Sequence, residues 1–117
     1  MKINLNNAGL TAEKLAATFL MNHGLKMVAQ NYHCRFGEID LIMTDAKTLV
    51  FIEVRLRSNS QFGSAAASIT PQKQQKLILT AQHYLQQHGD SLCRFDAILM
   101  NKVDLQHIEW VRNAFDA

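Results

Sequence analysis

The spacing of apolar residues changes along the chain, and each change marks an element. From Asn7 or Thr11, both good helix N-caps, up to His23, the residues Ala8, Ala12, Leu15, Ala16, Phe19 and Leu20 share one face of a helical wheel. Gly24 then supplies a natural stop. Glu13 lies at the edge of that stripe, beside Ala16 and Leu20, so it is expected to look along the surface on which the helix packs. A strand is predicted over residues 26–32. Residues 37–44 (GEIDLIMT) and 49–57 (LVFIEVRLR) are alternating or β-rich, and Asp45-Ala46-Lys47-Thr48 between them is turn material. A four-residue loop there pairs Thr44 with Leu49. In that register Asp40 opposes Glu53 and Glu38 opposes Arg55. Directly opposed residues share a face. Glu38, Asp40, Glu53 and Arg55 are therefore expected on one side of the sheet, with Ile39, Leu41, Ile52 and Val54 on the other.

The second helix starts sharply, with Thr70 as N-cap and Pro71 at the first helical position. Leu77, Ile78, Ala81, Tyr84 and Leu85 form its apolar stripe, Lys73 sits at the stripe's edge, and Gly89 ends it. A strand follows over residues 93–100 (CRFDAILM), then a short strand or turn near residues 107–111, with Trp110 and Phe115 closing the core. The order α-β-β-β-α-β-β predicts an α/β domain spanning residues 1–117, a mixed β-sheet flanked by helices. The stretch from Ser58 to Thr70 is rich in Ser, Ala and Gly and reads as a loop.

Composition narrows the classes. Of 117 residues, 48% are hydrophobic, which supports one core and argues against disorder. A net charge of +2 points only weakly to an anionic partner. Cys34 and Cys93 have no CxxC spacing, so a structural zinc site is not expected, and both read as reduced thiols of a cytoplasmic protein. Neither a secretory signal nor an apolar run of about 20 residues is visible, so no membrane partner is expected. GxSxG, SxxK, Walker A and GxGxxG motifs are absent from the sequence, which argues against serine nucleophiles and nucleotide binding by those routes.

The acids carry the candidate chemistry. Like charges opposed across a sheet destabilise it, so Asp40 facing Glu53 calls for an explanation. Glu53 moreover interrupts the apolar run Leu49-Val50-Phe51-Ile52, and a buried carboxylate is costly unless paired. A bound Mg²⁺ fits, because that ion takes a few carboxylate oxygens plus waters and phosphates. It would lower the pKa of a bound water and clamp a phosphodiester. Arg55, two residues after Glu53 on the same strand face, could stabilise the developing phosphoryl charge.

Gly37-Glu-Ile-Asp40, Phe51-Ile-Glu-Val-Arg55-x-Arg57, Gly63-Ser-Ala-Ala-Ala and Arg94-Phe-Asp96 together resemble the YraN-like family of small bacterial proteins. That family is similar to the restriction-endonuclease-like superfamily, which includes archaeal Holliday junction resolvases. The resemblance implies a restriction-endonuclease-like core and a divalent-metal-dependent endonuclease, or nuclease-like protein, that binds DNA, including branched DNA. The superfamily signature of a helix Glu, a strand Asp and Glu-x-Lys matches Glu13, Asp40 and Glu53-Val54-Arg55. It implies Mg²⁺ or Mn²⁺ held by Glu13, Asp40, Glu53 and the Val54 carbonyl. Arg55 would contact the scissile phosphate, while Arg57, Lys73, His33 and Arg35 position the nucleic-acid backbone. By analogy with resolvases the resemblance implies a homodimer.

The usual lysine is Arg55 here. Arginine stays protonated and cannot serve as a general base. Two other classes therefore stand beside the nuclease: a catalytically weak or inactive nucleic-acid-binding module, and a protein-interaction domain. Glu13 also has a plain reading as a first-turn acid favoured by the helix dipole. Glu53 could sit in a structural ion pair, Glu38 could pair with Arg55 across the hairpin, and Arg94 with Asp96 along one strand face.

Overall fold

The computed structural model describes residues 8–56, 69–101 and 108–117. The expected loop from Ser58 to Ser68, Arg57, Asn7 and His107 lie outside the described residues. The element order is α1 (Ala8–Asn22), β1 (Lys26–Cys34), β2 (Gly37–Asp45), β3 (Thr48–Leu56), α2 (Pro71–His88), β4 (Cys93–Met100) and β5 (Ile108–Phe115). The strands form one mixed five-stranded sheet in the order β1-β2-β3-β4-β5. β1, β2 and β3 pair antiparallel, β3 and β4 parallel through the α2 crossover, and β4 and β5 antiparallel. The α/β sheet flanked by helices is thus the one the apolar periods predict. Among the described residues no helix is long and apolar enough to cross a membrane.

Local chemistry sets the helix ends. The Thr70 hydroxyl accepts the Lys73 N–H at 3.1 Å, and Pro71 begins α2. At the other end the Gly89 N–H donates to the Leu85 carbonyl at 2.8 Å, with Gly89 at φ +94°. After α1 the Leu25 N–H reaches back to the Leu20 carbonyl (3.1 Å) across Gly24 at φ +95°.

Each helix covers one face of the sheet. Ala12, Ala16, Ala17 and Leu20 of α1 pack on Leu41, Met43, Val50, Ile52, Ile98 and Met100. Leu77, Ala81 and Tyr84 of α2 pack on Ile39, Ile42, Phe51, Phe95 and Leu99. Small alanines on α1 let that helix approach closely. β3 is central and covered on both sides, and for this reason Leu49 through Glu53 are all buried.

The face assignment drawn from the sequence needs correction. Ile39 and Leu41 do not share a face: Ile39 lies under α2, Leu41 under α1. Alternation breaks at Asp40. The β1–β2 ladder pairs Gln30 with Leu41 and Tyr32 with Ile39 but skips Asn31 opposite Asp40, and Asn31 has φ +51°. Such an irregularity re-aims the side chains on either side of it. The hairpin turn is also tighter than expected. Thr44 pairs with Leu49 as predicted, but Asp45 pairs with Thr48 as well, which leaves Ala46 (φ +54°) and Lys47 as the loop. The last strand is longer than predicted. Trp110 and Phe115, five residues apart, pack on opposite faces of the sheet, and a register shift against β4 lies between them near Asn113 (φ +50°).

β4 and β5 are tied by the buried carboxylate of Asp96. It accepts from Arg94 Nε (3.1 and 3.2 Å), Trp110 Nε1 (3.0 Å) and the Asn113 N–H (3.0 Å). Arg94 continues to Asp45 Oδ2 at 3.1 Å. The Arg94–Asp96 pair is therefore structural. Asp96→Ala strands a half-buried guanidinium, an indole N–H and a backbone N–H, and is expected to cost about 3 kcal/mol or more. Asp45→Ala removes only the half-exposed end of the network and should cost under about 1 kcal/mol. Urea unfolding of the two variants measures both, and equal losses would refute the ranking.

Candidate functional site

Asp40, Glu53 and Lys73 meet where β2, β3 and the start of α2 come together. The β2–β3 ladder ends at the Leu41–Ile52 pair, so Asp40 and Glu53 are not ladder partners as the predicted register has them. Instead the Val54 N–H donates to Asp40 Oδ2 at 2.8 Å, and the side chain stands in for a missing backbone acceptor. The Asp40 and Glu53 carboxyls still lie within hydrogen-bonding reach of each other. Glu53 follows Phe51 onto the α2 face and is 5% exposed. Lys73, in the first turn of α2, places Nζ 3.3 Å from Glu53 Oε2. That is an ion-pair distance, yet no donor is aligned on this buried oxygen. Charge is compensated there while directional bonding capacity is left over.

Glu13 stands on α1 over the other side of the junction, half-buried, and senses the charges of Asp40 and Glu38. With its amide nitrogen turned toward them, Asn31 donates to Glu13 Oε1 (2.8 Å) and Glu38 Oε1 (3.1 Å). Asn31 thus links Glu13 with Glu38, while Asp40 feels Glu53 on one side and is felt by Glu13 on the other. Among the described residues no three His, Cys, Asp or Glu side chains are arranged to hold one metal ion. The break at Asp40 sends Glu38 toward α1, where Asn31 bridges it to Glu13, while Glu53 faces α2.

The other candidates separate. Arg55 is half-buried two positions beyond Glu53 on the same strand face, opposite Leu99. Glu38 lies 3.3 Å from His33 across the β1–β2 hairpin, both exposed. Arg35 sits at the hairpin tip, its guanidinium carbon 4.8 Å from the centre of the Phe36 ring. Sequence reasoning placed Lys73 on the nucleic-acid backbone and missed it as the partner of Glu53. It also missed Asn31, although an asparagine inside a β-rich run is disfavoured there and marks a candidate irregularity.

Burial, first, and the neighbouring carboxyl of Glu53, second, push the Asp40 carboxyl from its ordinary 3.8 up to about 7. The Val54 N–H and the Lys73 charge act against that rise. Glu13 is likewise pushed up to about 7, by burial and then by Asp40 and Glu38, with the Asn31 bond opposing. Near neutrality the cluster holds protons that a divalent cation would displace.

A family model described as uncharacterised protein family UPF0102 matches residues 12–100. A UPF0102 protein of Methylobacillus flagellatus is 56% identical over 113 residues, covering 97% of this chain and all of that relative. Another from Nitrosomonas europaea is 57% identical over 111 residues, 94% of each chain, and one from Saccharophagus degradans is 48% identical over 113 residues, 94% of this chain and 93% of its own. The chain belongs to this uncharacterised bacterial family, the one its motifs indicate.

The raised carboxyls give stability a definite pH dependence. Both folded-state values exceed those of the unfolded chain, so between about pH 4 and pH 7 the folded protein binds more protons. Their contribution is most favourable at the acid end and is lost as pH rises through about 7. Asp40→Asn keeps an acceptor for the Val54 N–H and needs no proton beside Glu53. In metal-free buffer its urea midpoint should gain on the wild type between about pH 5 and about pH 8. Parallel pH profiles for the two proteins would contradict the assignment.

Proposed function

We propose that the chain is a divalent-metal-dependent phosphodiesterase acting on nucleic acid at the Asp40–Glu53–Lys73 junction. The observation that carries this reading is Glu53 Oε2, buried in the central strand with no donor aligned on it, next to a second acid on the neighbouring strand. The other buried acid among the described residues, Asp96, is saturated by three side-chain and backbone donors. Buried carboxylates here are satisfied when their role is structural, and a leftover oxygen beside a second carboxyl suits a hard cation.

Asp40 and Glu53 fit such an ion as a two-carboxylate seat, with the Val54 carbonyl as a third oxygen donor. The ion would supply an acidified water and neutralise phosphate charge. Lys73 presents a compact ammonium that can shift from Glu53 to a phosphate oxygen, since its side chain is 36% exposed. It supplies the cation at this junction, whereas Arg55 adds a second positive group along the strand face. Glu13, raised to about 7, can hold or release a proton at neutral pH on the α1 side.

Two experiments test the proposal. Calorimetric titration with Mn²⁺ should show binding in the wild type, weakened at least about tenfold in Glu53→Gln, by comparison with the loss that even outer partners of a metal cause. Incubation of branched and linear DNA with Mn²⁺ should give products that disappear in Asp40→Asn and fall on the order of 100-fold in Lys73→Ala. A wild-type titration without heat, unchanged by Glu53→Gln, refutes the metal seat. Salt-sensitive DNA retention without products would instead leave the binding module that Arg55 suggests.

A further inference from the structure

A cavity of about 400 Å³ opens between the tip of the β1–β2 hairpin and the outer side of α2, lined by Arg35, Phe36, Leu79, Gln82, His83 and Gln86. That volume lies within the range of about 300–1,000 Å³ that encloses small organic groups. Its chemistry is specific. Phe36 is half-buried, with Arg35 over its face and the His83 ring 6.5 Å away at a steep angle. His83 is itself fixed by a hydrogen bond to the Tyr32 hydroxyl. Gln82 and Gln86 are exposed one helical turn apart, each offering an amide donor and acceptor. None of the six lining residues is acidic. An aromatic platform, a guanidinium plane and two amides select a flat heterocycle with a polar edge and tolerate an attached anion.

α2 connects this cavity to the acid junction. Lys73, Lys76 and His83 fall on one stripe of the helix at spacings of three and seven. Lys76 also flanks Gly37, where an added Cβ would lie 3.8 Å from the Lys76 Cβ and 3.3 Å from Thr80 Oγ1, so hairpin and helix are in close contact. From Lys73 to His83 the helix rises roughly 15 Å. That is about four nucleotide steps at the 3.4 Å rise of a stacked strand.

We infer that this cavity receives an unpaired nucleobase of a nucleic-acid strand whose phosphates run over Lys76 toward Lys73. The ring faces of a base inside a duplex are covered by its neighbours, so a stacking pocket admits only a base that is single-stranded or flipped out. The inference rests on the nucleic-acid reading of the acid junction and names the substrate class for it: a strand with an unpaired nucleotide a few steps from the cut phosphate.

The test uses the full chain in EDTA with a short DNA single strand carrying a fluorescent adenine analogue, and the same strand as a blunt duplex. The wild type should quench the analogue in the single strand and bind that form more tightly than the duplex. Phe36→Leu, which keeps an apolar side chain, should lose the quenching and bind on the order of tenfold more weakly, while Phe36→Tyr retains both. Thermal melting confirms that the variants are folded. Unchanged quenching and affinity in Phe36→Leu would overturn the inference. A wild type that binds and cuts DNA in Mn²⁺ without quenching sinks the pocket alone. Quenching without cutting in Mn²⁺ supports the pocket and sinks the enzyme. A wild type that retains neither DNA form sinks both.

Discussion

A carboxylate in the middle of a strand covered on both faces is the constraint around which this molecule is arranged. Glu53 lies in β3, the strand that pairs antiparallel with β2 and parallel with β4, and is 5% exposed. Left alone, its charge would cost several kcal/mol in such a setting. The fold answers from two directions. From β2, Asp40 brings a second carboxyl beside it, whose own charge is disfavoured by burial and by Glu53. From α2, Lys73 reaches in from a first turn fixed by the Thr70 cap and Pro71. Helix start and strand chemistry are therefore one unit: the cap sets where Lys73 points, and Lys73 makes the buried acid tolerable.

Asp96 shows what a purely structural solution looks like in the same sheet. It is 1% exposed, lies one strand away, and spends its oxygens on Arg94, Trp110 and the Asn113 N–H. Nothing is left over to bind a ligand. The Glu53 junction differs in kind, because two acids face each other and one buried oxygen has an ammonium nearby but no aligned donor. Local rules are broken in this way at functional sites more often than elsewhere in a fold.

The sequence made the elements legible but not the faces of β2. Caps, glycine stops and apolar periods located both helices and four of the strands to within a few residues, because each is a local signal. The faces of β2 depend on one non-local irregularity. With Asn31 at φ +51° and unpaired opposite Asp40, the alternation that would have placed Ile39 with Leu41 is broken. β3 carried no alternation at all, since a doubly covered strand is apolar on both sides, and Glu53 stood out there only as an interruption. The full extent of β5 was hidden because Glu109, Arg112 and Asn113 give it the polarity of a loop. The hairpin pocket carries no motif. Arg35-Phe36 at a turn acquires meaning only when α2 brings Gln82 and His83 beside it.

The break at Asp40 is also what makes a site of this junction. In an uninterrupted ladder Asp40 and Glu53 would sit as directly opposed like charges, an arrangement that only weakens a sheet. Ending the ladder at Leu41–Ile52 frees the Asp40 carboxylate to take the Val54 N–H, which anchors one oxygen beside Glu53. The same break turns Glu38 toward α1, where Asn31 bridges it to Glu13. One residue in the left-handed region thus sorts four acids into an outer pair held by an amide and an inner pair held by a lysine and a backbone N–H. The inner pair is poorly satisfied and the outer pair well satisfied. That asymmetry is why the chemistry is assigned to Asp40 and Glu53, with Glu13 on the side from which a proton could be exchanged.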